Sequence, residues 1–325
     1  MYSKIRVGIV GYGNLGKGVE LALNNNPDFE LIGIFTRRNI DDIDSNSNII
    51  SFNKVLDYKD KIDVMFLCGG SAKDLPEQCP KLAEHFNTID SYDNHKNIPN
   101  YFNMIDNIAK KSNKVSLISV GWDPGLFSLN RLLAQTIFPN GQCYTFWGKG
   151  VSQGHSDAIR RIKGVKNAVQ YTIPSEKTIE EIKAGKNPSL KKEDMHKRVC
   201  YVVPYDFEDK DRIEKEIKSM PNYFQGFDTT VHFITEEDLI KNHSKMPHGG
   251  RVIGTGTTNK KHKHVMEFSL SLEDNPEFTA SVVVAFARAI YRLALDGKKG
   301  AFTVFDIPLG YLSPKTGEEL RKELL

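Results

Sequence analysis

"KIRVGIVGYGNLGKGVELALNN" (residues 4–25) decides how the rest of the chain is read. Residues 4–10 form a short run rich in β-branched side chains, the pattern of a buried strand. Gly11, Gly13 and Gly16 follow it in GxGxxG spacing and open a helix that runs through about Asn25. Each glycine has a task there: the tight turn, the close approach of backbone to a pyrophosphate, and the packing of helix on strand. The helix N-terminus offers free N–H groups and a partial positive charge to phosphate. Glycines so spaced also occur in ordinary turns. Here strand, glycines, helix and a second strand, "ELIGIF" (30–35), come in the order a dinucleotide-binding unit requires.

Further along, "IDVMFLC" (62–68), "NTIDSYD" (87–93) and "KVSLISV" (114–120) read as three more strands, each followed by a helical segment. Continuous apolar strands alternating with helices predict a parallel sheet covered on both faces, and right-handed crossovers make it doubly wound. From about Cys143 the texture changes to alternating segments such as "CYTFWG", "AVQYTIP", "RVCYVVPY", "TTVHFI" and "HVMEFSLSL", which predict a largely antiparallel sheet. "FTASVVVAFARAIYRLALDG" (278–297) is an apolar-striped helix expected to pack back on the first domain. The fold class is therefore α/β: a Rossmann-type doubly wound parallel sheet over residues 1–120, plus an α+β region over 121–299 for substrate and dimerisation. The segment from about 300 to 325 is expected to return to the first domain.

The 325 residues give room for about two domains. Formal net charge is +3, from 44 basic and 41 acidic residues, which is a poor footprint for nucleic acid. The N-terminal apolar run ends in glycines, without a signal-peptide pattern, and no run of some 18 apolar residues predicts a membrane span. Cys68, Cys79, Cys143 and Cys200 are scattered with no CxxC pair, as expected of reduced thiols in a cytoplasmic protein. "HKH" at 262–264, in the lysine-rich "NKKHKHV", reads as a solvated hairpin, so no metal is expected.

Position 36 follows Gly16 by twenty residues and caps the second strand, where this fold places the adenosine ribose. An acid there would hold a free 2′-hydroxyl. This chain has Thr36, Arg37 and Arg38, and guanidinium groups pair with a 2′-phosphate through charge-assisted bonds, which points to NADP. Asp93 in "SYDNH" and Asp123 in "GWDPG" follow the fourth and fifth strands, while Asp90 lies within the fourth. Ligands bind at those strand ends, and carboxylates there suit an ammonium group, although an Asp before Pro is also a common turn or cap residue. Trp147, Arg198 and His248 suit an anionic ligand end, and each has an equally plain structural reading.

The motifs "GYGNLG", "TRR", "SYDNH", "GWDPG", "FWGKGVSQGHSDAIRRIKGVKNAVQYT", "MPHGG" and "DNPEFTA", in this order, resemble the meso-diaminopimelate dehydrogenase family over essentially the whole chain. The resemblance implies a homodimeric NADP-dependent oxidoreductase that deaminates the D-centre of meso-2,6-diaminopimelate, giving L-2-amino-6-oxopimelate and ammonia. That reaction belongs to lysine biosynthesis. It further implies cofactor contacts at Tyr12, Gly13, Asn14 and Leu15, at Thr36, Arg37 and Arg38, at Ser71 and Ala72, and at Ser91, Tyr92 and Trp122. Substrate contacts are implied at Asp93, Asp123, Trp147, Gln153, Gly154, Thr172, Arg198, His248 and Asn275.

Diaminopimelate carries two ammonium and two carboxylate groups, so the distal end must be clamped for one carbon to reach the cofactor. Arg198, Thr172 and His248 are assigned to carboxylate recognition, and Asp93 and Asp123 to the ammonium groups or to proton removal. Two other readings compete: a different NADP-dependent reductase of amino-acid synthesis, such as dihydrodipicolinate reductase or homoserine dehydrogenase, and a catalytically silent NADP-binding regulator. The polar set of the second half argues against the regulator, since a sensor needs no second site.

Overall fold

The computed structural model describes residues 4–259 and 261–325, so Lys260 of the lysine-rich turn lies outside the described residues. The chain divides into two compact units, Met1–Leu129 with Pro276–Leu325, and Asn130–Asn275.

In the first unit, strands β1 (Ile5–Val10), β2 (Phe29–Thr36), β3 (Ile49–Ser51), β4 (Val64–Leu67), β5 (Thr88–Asp90) and β6 (Val115–Leu117) share one sheet with a closing strand, Gly300–Phe302. The order is closing strand, β6, β5, β4, β1, β2, β3, and every pairing is parallel. Successive side chains of a strand go to opposite faces. Ile9, Ile34 and Phe66 join a core with helix α1 (Asn14–Asn24) and the long helix Asn275–Leu295. Val10, Phe35 and Met65 join a second core with α2 (Asp74–Ala83) and α3 (Ile98–Ser112). Two covered faces explain why these strands are apolar throughout. β3 and the closing strand are three residues each, too short to show a period, and the sequence reading passed over both.

At 21 residues, the long helix has the length and composition of a bilayer-spanning segment. Its Val283, Phe286, Ile290 and Leu293 are instead buried in the first core. It meets α1 at Gly18, where an added Cβ would come 2.9 Å from the Ala280 methyl group. The same helix carries Arg288, 5% exposed, whose Nε and Nη2 donate to the two oxygens of Asp28 at 2.5 and 2.9 Å. Nη2 also donates to Asn26 Oδ1, and Nη1 to the Leu312 carbonyl.

Burial would raise Asp28, but the hydrogen bonds and charge of Arg288 override it and hold the carboxyl below its usual range. That stabilisation is present above the ordinary carboxylate pKa and is lost as pH falls through the lowered folded value. Arg288→Met is expected to cost about 3 kcal/mol, because it leaves a half-buried carboxylate unpaired. Urea unfolding at pH 7 and again near pH 3 checks this, and the gap between the two proteins should narrow at the lower pH.

The second unit has two sheets where the sequence pattern predicted one. Strands β7 (Gln142–Trp147), β8 (Gly150–Val151), β9 (Val165–Pro174), β10 (His196–Pro204), β11 (Asp228–Phe233), β12 (His248–Thr257) and β13 (Lys263–Leu272) form them. One is ordered β11-β10-β9-β8 and the other β13-β12-β7. All pairs are antiparallel except β10 with β11. That exception follows from the helix Lys210–Ser219 lying between them in sequence, since a crossover returns the chain in the same direction.

The alternating pattern predicts no strand at β12, whose first residues belong to the motif "MPHGG". β12 is the centre of its sheet, and glycines at 249, 250, 254 and 256 hide it, because glycine disfavours strands by propensity. Packing requires them. A Cβ on Gly254 would stand 2.6 Å from that of Ala134, and one on Gly256 2.5 Å from that of Phe138.

Candidate active site

The order of the first sheet reverses between β1 and β4, so the crevice lies at the carboxyl ends of those strands. A cleft of about 340 Å³ opens there, lined by Gly11, Gly13, Thr36, Arg37, Arg38 and Asp74 among others. Gly11 has φ +89°, and its N–H donates to the Phe35 carbonyl at 3.0 Å. A Cβ on Gly16 would lie 2.2 Å from the Gly11 oxygen, so the loop closes only with glycine there. Nothing lies within 4 Å of the Cβ that Gly13 lacks, which leaves clear space above the N-terminus of α1. That N-terminus has no side-chain cap and no acid in its first turn. A helix N-terminus without a side-chain cap, clear space and two nearby guanidinium groups together fit a dinucleotide bearing an extra phosphate.

The three residues at the rim differ in posture. Thr36 is buried, and its hydroxyl accepts the Arg38 N–H at 3.1 Å, which shapes the turn. Arg38 donates to the Tyr12 carbonyl, and Arg37 pairs with Asp74 in the first turn of α2. The N–H of Gly70 holds Asp74 at 3.0 Å, and with Arg37 it keeps that carboxyl below its usual range. Cys68 forms part of the cleft wall, and burial pushes its thiol up to about 12, so it is not a reactive thiolate. Asn14 opens α1, whereas Leu15 packs on the core and can offer a ligand only its backbone.

The two acid loops leave neighbouring strand ends. Asp93 is exposed, and its N–H donates to Ser71 Oγ at 3.1 Å, joining the loops after β4 and β5. Ala72 and Ser91 flank that junction, one exposed and one half-buried. The Tyr92 ring is buried and stacks on Tyr101 at 4.0 Å. Asp123 is half-buried in a tight turn in which the Leu126 N–H donates to the Gly121 carbonyl. Gly125 makes that turn possible, as its Cβ would sit 1.7 Å from the Gly121 oxygen. Trp122 is buried there with its ring edge-on to Phe127.

In the second unit, glycines draw three strands together. A Cβ on Gly148 would stand 2.1 Å from the Thr172 oxygen, and one on Gly150 would stand 2.6 Å from the His248 ring. Trp147, Thr172 and His248 therefore share one neighbourhood. Arg198 is the cross-strand partner of Thr172, and its Nη1 donates to Thr172 Oγ1 at 2.5 Å. The guanidinium is 9% exposed, lies 4.3 Å over the Phe227 ring, and burial pushes it down to about 10. Its Nε has no hydrogen-bond partner, and among the described residues no carboxylate pairs with it. Gln153 Nε2 donates to Met246 Sδ at 3.1 Å, and the Met246 carbonyl accepts the Asn275 N–H, linking Gln153 to Asn275. Gly154 faces open space.

Sequence reasoning missed several supporting residues. His196 Nε2 accepts the Trp147 N–H at 2.9 Å, with the two rings stacked. Asp74 and Phe227 hold Arg37 and Arg198, and Asp90 lies under the acid loops. Two of them left a trace in the sequence: Asp90 as an acid within the fourth strand with no role assigned, and Asp74 as an acid at the start of a predicted helix.

Residues 121–274 match the family described as the diaminopimelic acid dehydrogenase C-terminal domain. A meso-diaminopimelate D-dehydrogenase of Ureibacillus thermosphaericus is 60% identical over 325 residues, covering 99% of this chain and all of the relative. A crystal structure of a meso-dapdh mutant from Clostridium tetani, with DAP, is similar at 57% identity and a TM-score of 0.95, over 99% of this chain and 100% of that one. An engineered D-amino acid dehydrogenase bound to NADP+ follows the same fold at 44% identity and a TM-score of 0.88, again over 99% and 100%. With a curated relative this similar from end to end, the chain belongs to the meso-diaminopimelate D-dehydrogenase family.

Proposed function

We propose that this chain catalyses the NADP-dependent oxidative deamination of meso-2,6-diaminopimelate at its D-centre, reversibly, releasing ammonia and L-2-amino-6-oxopimelate as a step of lysine biosynthesis. The observation that carries this reading is Arg198: a buried guanidinium with an unpartnered Nε, placed beside Thr172. A buried cation with no protein counter-ion calls for an anionic ligand. A dicarboxylate supplies one. The substitutions in the Clostridium tetani protein support the same residues. They fall on Gln, Thr, Arg, Pro, His and Asn at spacings of 19, 26, 49, 1 and 27, and this chain repeats those types and spacings at Gln153, Thr172, Arg198, Pro247, His248 and Asn275.

NADP, when bound, supplies the two-electron acceptor. The residues that would hold it are the Gly11–Gly16 loop, the N–H groups of α1, Arg37 and Arg38. Arg198 and Thr172 would clamp the distal carboxylate, with His248 and Trp147 closing the pocket around the substrate stem. Asp93 and Asp123, at adjacent strand ends, would orient the ammonium groups, and a carboxylate in that place can accept the proton an ammonium must lose before oxidation. A homodimer belongs to the same proposal. It is supported by Leu132, Leu133 and Ile137, exposed on one helix, which a second copy could cover. Four free thiols support a reducing, cytoplasmic setting.

The test is NADPH formation followed at 340 nm with meso-diaminopimelate, with NAD and the L,L isomer as controls. Turnover with NADP and the meso isomer is expected. Tight NADP binding with no turnover of either isomer would sink the reading and leave the regulator.

A further inference from the structure

Asp90 ends β5 and is 1% exposed. Its Oδ1 accepts two backbone N–H groups at 2.9 Å, from Tyr92 in the loop after β5 and from Ser119 in the loop after β6. Its Oδ2 accepts the Tyr101 hydroxyl at 2.7 Å, and its own carbonyl accepts the Val120 N–H at 2.9 Å. Ser119 has φ +59°, an uncommon conformation for a residue other than glycine, and this bond fixes it. Among the described residues no basic group pairs with Asp90. One oxygen thus ties together two loops. Asp93 lies three residues beyond Asp90 in the first loop, and Asp123 lies four residues beyond Ser119 in the second.

We infer that Asp90 is a positioning residue for the reaction: through its single Oδ1 it sets the spacing between the loops that present Asp93 and Asp123 to the substrate. This rests on the reading of Asp93 and Asp123 as substrate contacts. Asp90 acts as an acceptor and not through its charge. An amide in its place keeps Oδ1, and Tyr101 can turn its hydroxyl to accept from the new N–H. Loss of the acceptor releases the Tyr92 and Ser119 N–H groups while the Asp90 carbonyl still holds Val120, and a misplacement of about 1 Å can cost about 100-fold in rate.

The experiment measures kcat, KM and NADP affinity in Asp90→Asn, Asp90→Ala, Asp90→Ser and Tyr101→Phe. Asn and the Tyr101 variant should keep a kcat close to wild type. Ala should lose about 100-fold in kcat with a much smaller loss of NADP affinity, since Ser91, Tyr92 and Trp122 lie on the released loops but the grip on the adenosine half lies at β1 and β2. Should Ala not fold, Ser takes its place: its hydroxyl is too short to reach both N–H groups, so its kcat should also fall. An Ala or Ser variant with unchanged kcat overturns the inference. So does an Asn variant that folds and binds NADP yet is as impaired as Ala, because charge and not the shared acceptor would then matter. Wild-type turnover of meso-diaminopimelate is the control, and its absence would sink the function reading instead.

Discussion

Arg198→Met is expected to lower kcat/KM for meso-diaminopimelate by about 10²–10³, leave NADP affinity unchanged and not lower the melting temperature. A charge-assisted hydrogen bond contributes about 1.5–3 kcal/mol, and a carboxylate gripped by a guanidinium makes up to two. At about 1.4 kcal/mol per tenfold, a loss of about 3–4 kcal/mol, within what one or two such bonds contribute, gives the stated range. The stability half of the expectation comes from the free protein. There the Arg198 guanidinium is buried with Thr172 Oγ1 and the Phe227 ring as its company. Burial pushes it down to about 10, so it still carries its charge near pH 7. Holding an uncompensated cation in that place costs stability, and an apolar side chain of similar length removes the cost. Steady-state kinetics with a thermal melt read both halves. A melt lowered by many degrees with KM unchanged would make Arg198 a structural residue and remove the main support for the carboxylate clamp.

Arg37→Ala combined with Arg38→Ala is expected to weaken NADP binding by about 10²–10³ and to change NAD binding little, by the same size of charge-assisted contact. Fluorescence titration with both nucleotides checks it. The NAD arm is needed because Arg38 also donates to the Tyr12 carbonyl, so its loss could loosen the glycine loop for any dinucleotide. Equal weakening for both nucleotides would mean that the arginines shape the loop and do not read the phosphate. Salt screens guanidinium–phosphate contacts, so raising the salt concentration should weaken NADP binding in the wild type more than in the double variant, with Asp74, which competes with phosphate for Arg37, partly offsetting the effect because its own pair is screened too.

The first unit was legible in the sequence because its elements are locally consistent. A β-branched run, three glycines in register and an amphipathic helix all point to one structure. The second unit was legible only in part. β12 stays hidden because its glycines answer to Ala134 and Phe138, neighbours more than a hundred residues away in sequence. The direction of β11 was lost because alternation reports which face a strand buries and says nothing of how it pairs. For the site, charged residues in unusual places stood out, as with Arg37 and Arg38. Residues that act through one shared atom did not. Asp90 reads as an ordinary strand residue until the two N–H groups on its Oδ1 are seen.

The long helix and the closing strand complete the first unit only after the chain has traversed the second. On the ribosome this sets an order of assembly. When Asn275 has been joined, every strand of the inserted unit exists, whereas the nucleotide sheet still lacks one edge and the helix that covers Val7, Ile9 and Ile34. The strands β1 to β6 must therefore wait, with apolar faces uncovered, for residues 276–325. A chain released early would carry every strand of the second unit and an unfinished parallel sheet.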